Sequence, residues 1–119
     1  MVIAIDFDGT ITEKNEFPHI GKIREHAFDA IKNLQANGHK CVLWTCRYGE
    51  SLNEAIQFLL DRGVQMDGYN SNVYPLESRK IVADVYVDDK NVFMVDSVDW
   101  YKIEKYILSL GNQEVKIVE

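Results

Sequence analysis

Asp6-Phe7-Asp8-Gly9-Thr10 directly follows the apolar run Val2-Ile3-Ala4-Ile5. Residues two apart in an extended strand point to the same side. Asp6 and Asp8 therefore emerge as a carboxylate pair where the strand ends and the chain turns at Gly9. Adjacent carboxylates repel, and a fold that places them together usually holds a cation or a proton between them. One is then equipped to act as nucleophile. Its neighbour, with a pKa pushed upward, is equipped to act as general acid and base. The plain alternative is a strand-to-turn junction with solvated Asp residues, since Asp and Gly are ordinary in turns. The whole five-residue pattern after a buried-type strand argues against it.

A second acidic pair, Asp88-Asp89, follows the apolar sequence Val85-Tyr86-Val87. Delivering two carboxylates from a buried strand costs repulsion that a metal or nearby cations must offset. A hard cation with oxygen ligands suits such donors. Asp84 reads only as a residue near the start of that strand. Thr45 ends another apolar run, Cys41-Val42-Leu43-Trp44, where a β-former is ordinary, and Arg47 lies two residues on. A guanidinium in that loop either binds a phosphate or a carboxylate bidentately or is simply solvated.

The run Asp6-Phe7-Asp8-Gly9-Thr10 resembles the signature of the haloacid dehalogenase-like superfamily, whose members are mostly Mg-dependent phosphatases. The resemblance implies that Asp6 attacks phosphorus and Asp8 protonates the leaving group. It implies that Thr45 hydrogen-bonds the phosphoryl group and that N–H groups near Gly9 help to hold its oxygens. It makes Asp88 a direct Mg2+ ligand and Asp89 a water-mediated partner, with Asp6 and the backbone carbonyl of Asp8 completing the protein's ligands. The cofactor implied is Mg2+.

The resemblance also asks for a lysine. Lys80 precedes Asp88 by eight residues, as in the compact, cap-less members. A six-residue strand spans roughly 20 Å, however, which would carry Lys80 to the far end of the sheet. Either the strand begins late, or Lys90 or Arg47 supplies the charge. The 13 residues from Gly9 to Gly21 are too few for a cap domain, so the pocket is expected to be open. It could take large substrates or be covered by a second copy of the chain in a homo-oligomer. Phe17, Tyr48 and Tyr74 sit in loops that could rim it.

The elements that must position these residues follow from periodicity. Strand one is Val2 to Asp6, and residues Gly9 to Gly21 form an ordered excursion over the site. Ile23, Ala27, Ala30, Ile31 and Leu34 recur at helical spacing, with Gly38 as a stop. Strand two is Cys41 to Trp44. Ser51 and Glu54 form a capping box for a helix whose apolar face is Leu52, Ala55, Ile56, Leu59 and Leu60, ended by Gly63. A short third strand lies between Val64 and Tyr69, and Pro75 to Ile81 forms a brief helix or turn. Strand four is Val82 to Val87. Asn91 to Val95 is an extended piece, and a last helix carries Trp100, Ile103, Ile107 and Leu110. Glu114 to Val118 alternates as a closing strand. Strands separated by helices predict an α/β fold, Rossmann-like and three-layered (α/β/α), with a mainly parallel sheet and no cap domain. Ligands of such sheets bind at the carboxyl ends of the strands, where all these acidic and hydroxyl residues fall.

The 119 residues read as one domain, 1–119, with enough length for a core. A net charge of -6 argues against nucleic-acid or anionic-membrane partners and leaves a small phosphorylated substrate open. Cys41 and Cys46 flank one strand, too far apart to bridge, and read as reduced thiols of a cytoplasmic protein. No apolar run approaches the ~18 residues of a membrane span, and no signal peptide is expected.

Two readings from other classes compete. A phosphoacceptor receiver-like signalling domain would need its Asp at the end of a third strand, near residues 50 to 60. Asp61 instead falls in a helical pattern. A non-catalytic binding module on the same fold would be expected to have lost Asp6 or Asp8. Within the superfamily, a phosphomutase or phosphonate hydrolase would call for a large cap or a different neighbour of the nucleophile. Sugar phosphates, nucleotides and phosphorylated sugar acids all stay open as substrates.

Overall fold

A computed structural model describes residues 1–71, 73, 81–91, 94 and 97–111. The element order is β1 (Val2–Ile5), α1 (Ala27–Ala36), β2 (Lys40–Leu43), α2 (Gly49–Asp61), β3 (Gly68–Tyr69), β4 (Val85–Val87) and α3 (Trp100–Leu110). The strands form one sheet in the order β3-β2-β1-β4, and every pair is parallel. This is the expected α/β, Rossmann-like arrangement with a parallel sheet, but among the described residues the three helices all pack on one face of it, two layers rather than the expected three. The order runs outward from β1 on one side and restarts with β4 on the other. The carboxyl ends of β1 and β4 thus flank the point of reversal, where such sheets bind ligands.

Alternation along β1 and β2 divides the core. Ile3, Ile5, Cys41 and Leu43 face a cluster built with Ala30, Ile31 and Leu34 of α1, Ala55 and Leu59 of α2, and Trp100 and Ile107 of α3. Ala4 and Val42 face the other side, under Ile81, Val73 and Ala83. Burying these chains from water is what makes the strands and helices stable together. Burial pushes the Cys41 thiol up to about 12, with the Asp67 charge adding to it, so this cysteine is an inert core residue. Both cysteines are free.

Several boundaries differ from expectation. Helix α1 starts at Ala27 rather than near Ile23, because Ile23 bridges Thr12 while Glu13 N–H donates to the Lys22 carbonyl and Arg24 N–H to that of Ile11. The Gly9–Gly21 excursion is thereby ordered against its own return strand. Helix α2 begins at Gly49, so Ser51 is not its cap residue. Its hydroxyl donates instead to the Tyr48 carbonyl. Leu60, expected on the apolar face of α2, is 43% exposed, and Phe58 packs on the core. Strand β4 begins at Val85, shorter than Val82 to Val87, because Asp84 turns in to accept a hydrogen bond from Val2 N–H at 2.7 Å. The expected pieces Pro75 to Ile81, Asn91 to Val95 and Glu114 to Val118 lie largely or wholly outside the described residues, as do Tyr74 and Lys80. Among the described residues, no helix is long and apolar enough to cross a membrane.

Candidate active site

The register Ile5↔Val87 puts the next residues, Asp6 and Asp88, side by side at adjacent strand ends. Asp6 N–H continues the ladder onto the Val87 carbonyl at 2.9 Å. Asp89 reaches the same point, and carboxylate oxygens of Asp6, Asp88 and Asp89 lie within 4.8 Å of one another. Burial, reinforced by the charges of Asp88 and Asp89, pushes the Asp6 carboxyl up to about 7, although the Thr10 hydroxyl bond pulls the other way. Such an oxygen set, short of positive charge, fits a hard divalent cation. Among the described residues the nearest cation to the cluster is Lys90, whose ammonium is 3.8 Å from Asp89 but 82% exposed.

Thr10, not singled out from sequence, ties this cluster together. Its fully buried hydroxyl contacts Asp6 at 3.0 Å and Asp89 at 3.2 Å, and accepts from Asp89 N–H at 2.9 Å. The Thr10 carbonyl accepts from the Trp100 indole at 2.9 Å, and the Gly9 carbonyl from the Arg24 guanidinium at 2.8 Å. Gly9 has φ 85°, and a Cβ there would meet an Asp89 oxygen at 2.7 Å. Only glycine lets the two acidic loops close on one another.

The expected phosphate donors are rearranged. Gly9 N–H is taken by the Thr12 hydroxyl at 2.9 Å, and the N–H groups of Thr10, Ile11 and Thr12 turn back to the Phe7 carbonyl. The N–H groups of Phe7 and Asp8 carry no partner among the described residues and are the donors this loop can offer an anion. Thr45 is held with its N–H on the Asn70 side chain at 2.7 Å, while its oxygen accepts from Arg47 N–H at 3.1 Å. That leaves the Thr45 O–H to donate. Asn70, at φ 52° just past β3, also donates to the Arg47 carbonyl at 3.0 Å. The short sequence Tyr69-Asn70 carried the only hint of this clamp, since Asn tolerates a left-handed turn.

Arg47 departs most from expectation. Its side chain is buried, and its Nε and one terminal nitrogen grip both oxygens of Asp8 at 2.7 and 2.8 Å. The remaining donors go to the carbonyls of Pro18, His19 and Ser51. All five guanidinium N–H groups are thus committed. The guanidinium also lies between the rings of Phe7 and Phe17, at 5.4 and 5.2 Å. In this arrangement Arg47 offers nothing to a phosphate. It orients Asp8 instead.

Asp6, Asp8, Thr45, Arg47, Asp88 and Asp89 all line one cavity of about 450 Å3, with Lys90, Asn15, Phe17, Cys46 and Tyr48. Tertiary packing therefore gathers these expected residues from three chain segments, with Lys80 outside the described residues. A solved structure of a conserved protein from Bacteroides thetaiotaomicron is 39% identical in sequence, with a TM-score of 0.84, and the match covers 92% of this chain and 91% of that one. No protein of curated function matches the chain. The family model described as haloacid dehalogenase-like hydrolase matches residues 3–114. With carboxylates at two neighbouring strand ends and a match along nearly its whole length, the chain belongs to the haloacid dehalogenase-like hydrolases and is of their compact, cap-less type.

Proposed function

We propose that the protein is a Mg2+-dependent phosphomonoester hydrolase working through an aspartyl-phosphate on Asp6. The observation that carries this reading is the convergence of Asp6, Asp88 and Asp89 beside Asp8 and Thr45 in one cavity. A divalent cation held by Asp6, Asp88 and Asp89 would offset their mutual repulsion and that of the phosphate, leaving Asp6 ionised. The N–H groups of Phe7 and Asp8, without partners among the described residues, and the hydroxyl of Thr45 are suited to hold the equatorial phosphoryl oxygens. Asp6 then forms a bond to phosphorus as the ester P–O bond breaks, and Asp8 passes a proton to the departing oxygen. In the second step Asp8 takes a proton from water as the water oxygen attacks phosphorus and frees Asp6. Each oxygen of Asp8 accepts one bond from Arg47, so the proton that Asp8 carries sits on a lone pair those bonds leave free.

The test is turnover of simple phosphomonoesters with and without Mg2+. Hydrolysis is expected only with the metal, and Asp6→Asn should abolish both turnover and any covalent phospho-enzyme. Asp8→Asn should slow both steps by about a hundredfold or more while retaining metal binding. Full activity in excess chelator, or wild-type turnover by Asp6→Asn, would overturn the reading.

A further inference from the structure

Two large aromatic side chains stand at the mouth of the acidic cavity and are far from buried. Phe17 is 56% and Tyr48 is 81% exposed, and both line the cavity that holds Asp6. Neither owes its place to the hydrophobic core. One side of the Phe17 ring is occupied by the Arg47 guanidinium, 5.2 Å from the ring centroid, and the Phe17 N–H is tied to the Asn15 side chain at 3.1 Å. Tyr48 is the cap residue of α2, with its N–H and carbonyl both bound to the Ser51 hydroxyl at 3.3 and 2.8 Å. Two apolar surfaces are thus left in water on backbone that is already ordered, which favours binding because little freedom remains to be lost.

Resting on the phosphatase reading, we propose that Phe17 and Tyr48 form a stacking subsite for the leaving group. The substrate is then a phosphomonoester carrying a flat aromatic or heteroaromatic ring, such as a nucleoside monophosphate. A cavity of about 450 Å3 has room for a ring beside the phosphoryl group. The polar composition of the wall points the same way. A bare sugar is recognised through many hydrogen bonds, yet away from the acidic cluster the described lining offers chiefly Asn15, whose amide N–H2 has no partner among the described residues. A second phosphate or a carboxylate would need a free cation. Among the described residues of the lining, Arg47 is fully committed and Lys90 stands beside the acidic cluster. An aromatic face with one amide next to it instead matches a ring with edge heteroatoms.

The experiment compares a purine nucleoside 5′-monophosphate with ribose 5-phosphate. Both are esters of the same kind of primary alcohol, so their leaving groups are matched and the ring is the difference. With Mg2+ present, the nucleotide should have a kcat/KM about ten- to hundredfold higher. That ratio should fall several-fold towards one in Tyr48→Ala and in Phe17→Ala. A wild-type ratio at or below one, or a ratio unchanged in both variants, would overturn the subsite. Calorimetric binding of the same two ligands to Asp6→Asn reads the ring preference without turnover. Preferential nucleotide binding without hydrolysis would remove the phosphatase and keep the subsite. Hydrolysis of both esters without preference would do the reverse.

Discussion

Arg47 and Asp8 form the one buried ion pair among the described residues that also lines the cavity, with side chains 1% and 10% exposed. Removing one member of such a pair strands the other charge in a poorly solvated place. Arg47→Ala should therefore cost about 3–5 kcal/mol in urea unfolding. Arg47→Lys should recover little of it, because an ammonium cannot grip both Asp8 oxygens and reach three carbonyls at once. If Arg47 orients Asp8, Arg47→Lys should lower kcat in single-turnover assays more than it raises KM. If Arg47 were instead a phosphate ligand, KM would carry the loss.

At the scale of elements, helix α3 reaches the Asp6–Thr10 loop through its first residue. Asp99 caps the helix by accepting from Tyr101 N–H at 3.0 Å and Lys102 N–H at 3.3 Å. That cap holds Trp100 where its indole N–H meets the buried Thr10 carbonyl. Farther along, Glu104 accepts from Asn33 at 2.8 Å and pairs with His26 at 2.9 Å, fastening α3 to α1. Burial acts to raise the Glu104 carboxyl, but the bonds from His26 and Asn33 outweigh it and hold it below its ordinary value. Trp100→Phe keeps most of the apolar volume and deletes the indole donor. It should cost about 1–3 kcal/mol, because the Thr10 carbonyl is left without a partner. Because Thr10 links Asp6 to Asp89, Mg2+ affinity read by titration calorimetry should weaken as well. Lost stability with unchanged affinity would confine the indole to packing.

For the whole molecule, three carboxylates at the reversal point of the sheet should make stability depend on pH and on divalent cations. The Asp6 carboxyl rises from 3.8 to about 7 on folding, so between those values the folded chain binds a proton that the unfolded chain has released. In chelator this contribution is fully present at the acidic end and is lost as pH rises through about 7. If the cluster holds Mg2+ as proposed, the metal should reverse the trend at the upper end by binding the folded, ionised carboxylates. Thermal unfolding of the wild type against Asp6→Asn, with and without Mg2+, checks both signs. A slope in chelator that survives in Asp6→Asn would assign it to other groups.

Chain-local chemistry was enough to place the carboxylates of Asp6 and Asp88 at strand ends, to find the helices by their apolar spacing and to expect a parallel sheet. Those features depend on residues a few positions apart, where alternation, turn formers and helix stops act directly. The resemblance carried by Asp6-Phe7-Asp8-Gly9-Thr10 added the family. The late start of β4, the bridge between Thr12 and Ile23 and the role of Asn70 depended on partners distant in the chain. Arg47 meets Asp8 across 39 residues and Thr10 meets Asp89 across 79, and no local pattern marks either pair. An arginine in a loop reads as solvated until packing shows it enclosed by carbonyls and rings. Phe17 and Tyr48, likewise, share a cavity mouth only because β1 and β2 are neighbours in the sheet and the loops that follow them converge. Strand order is set by the joint burial of all the apolar faces, and it brings residues together that are far apart in the chain.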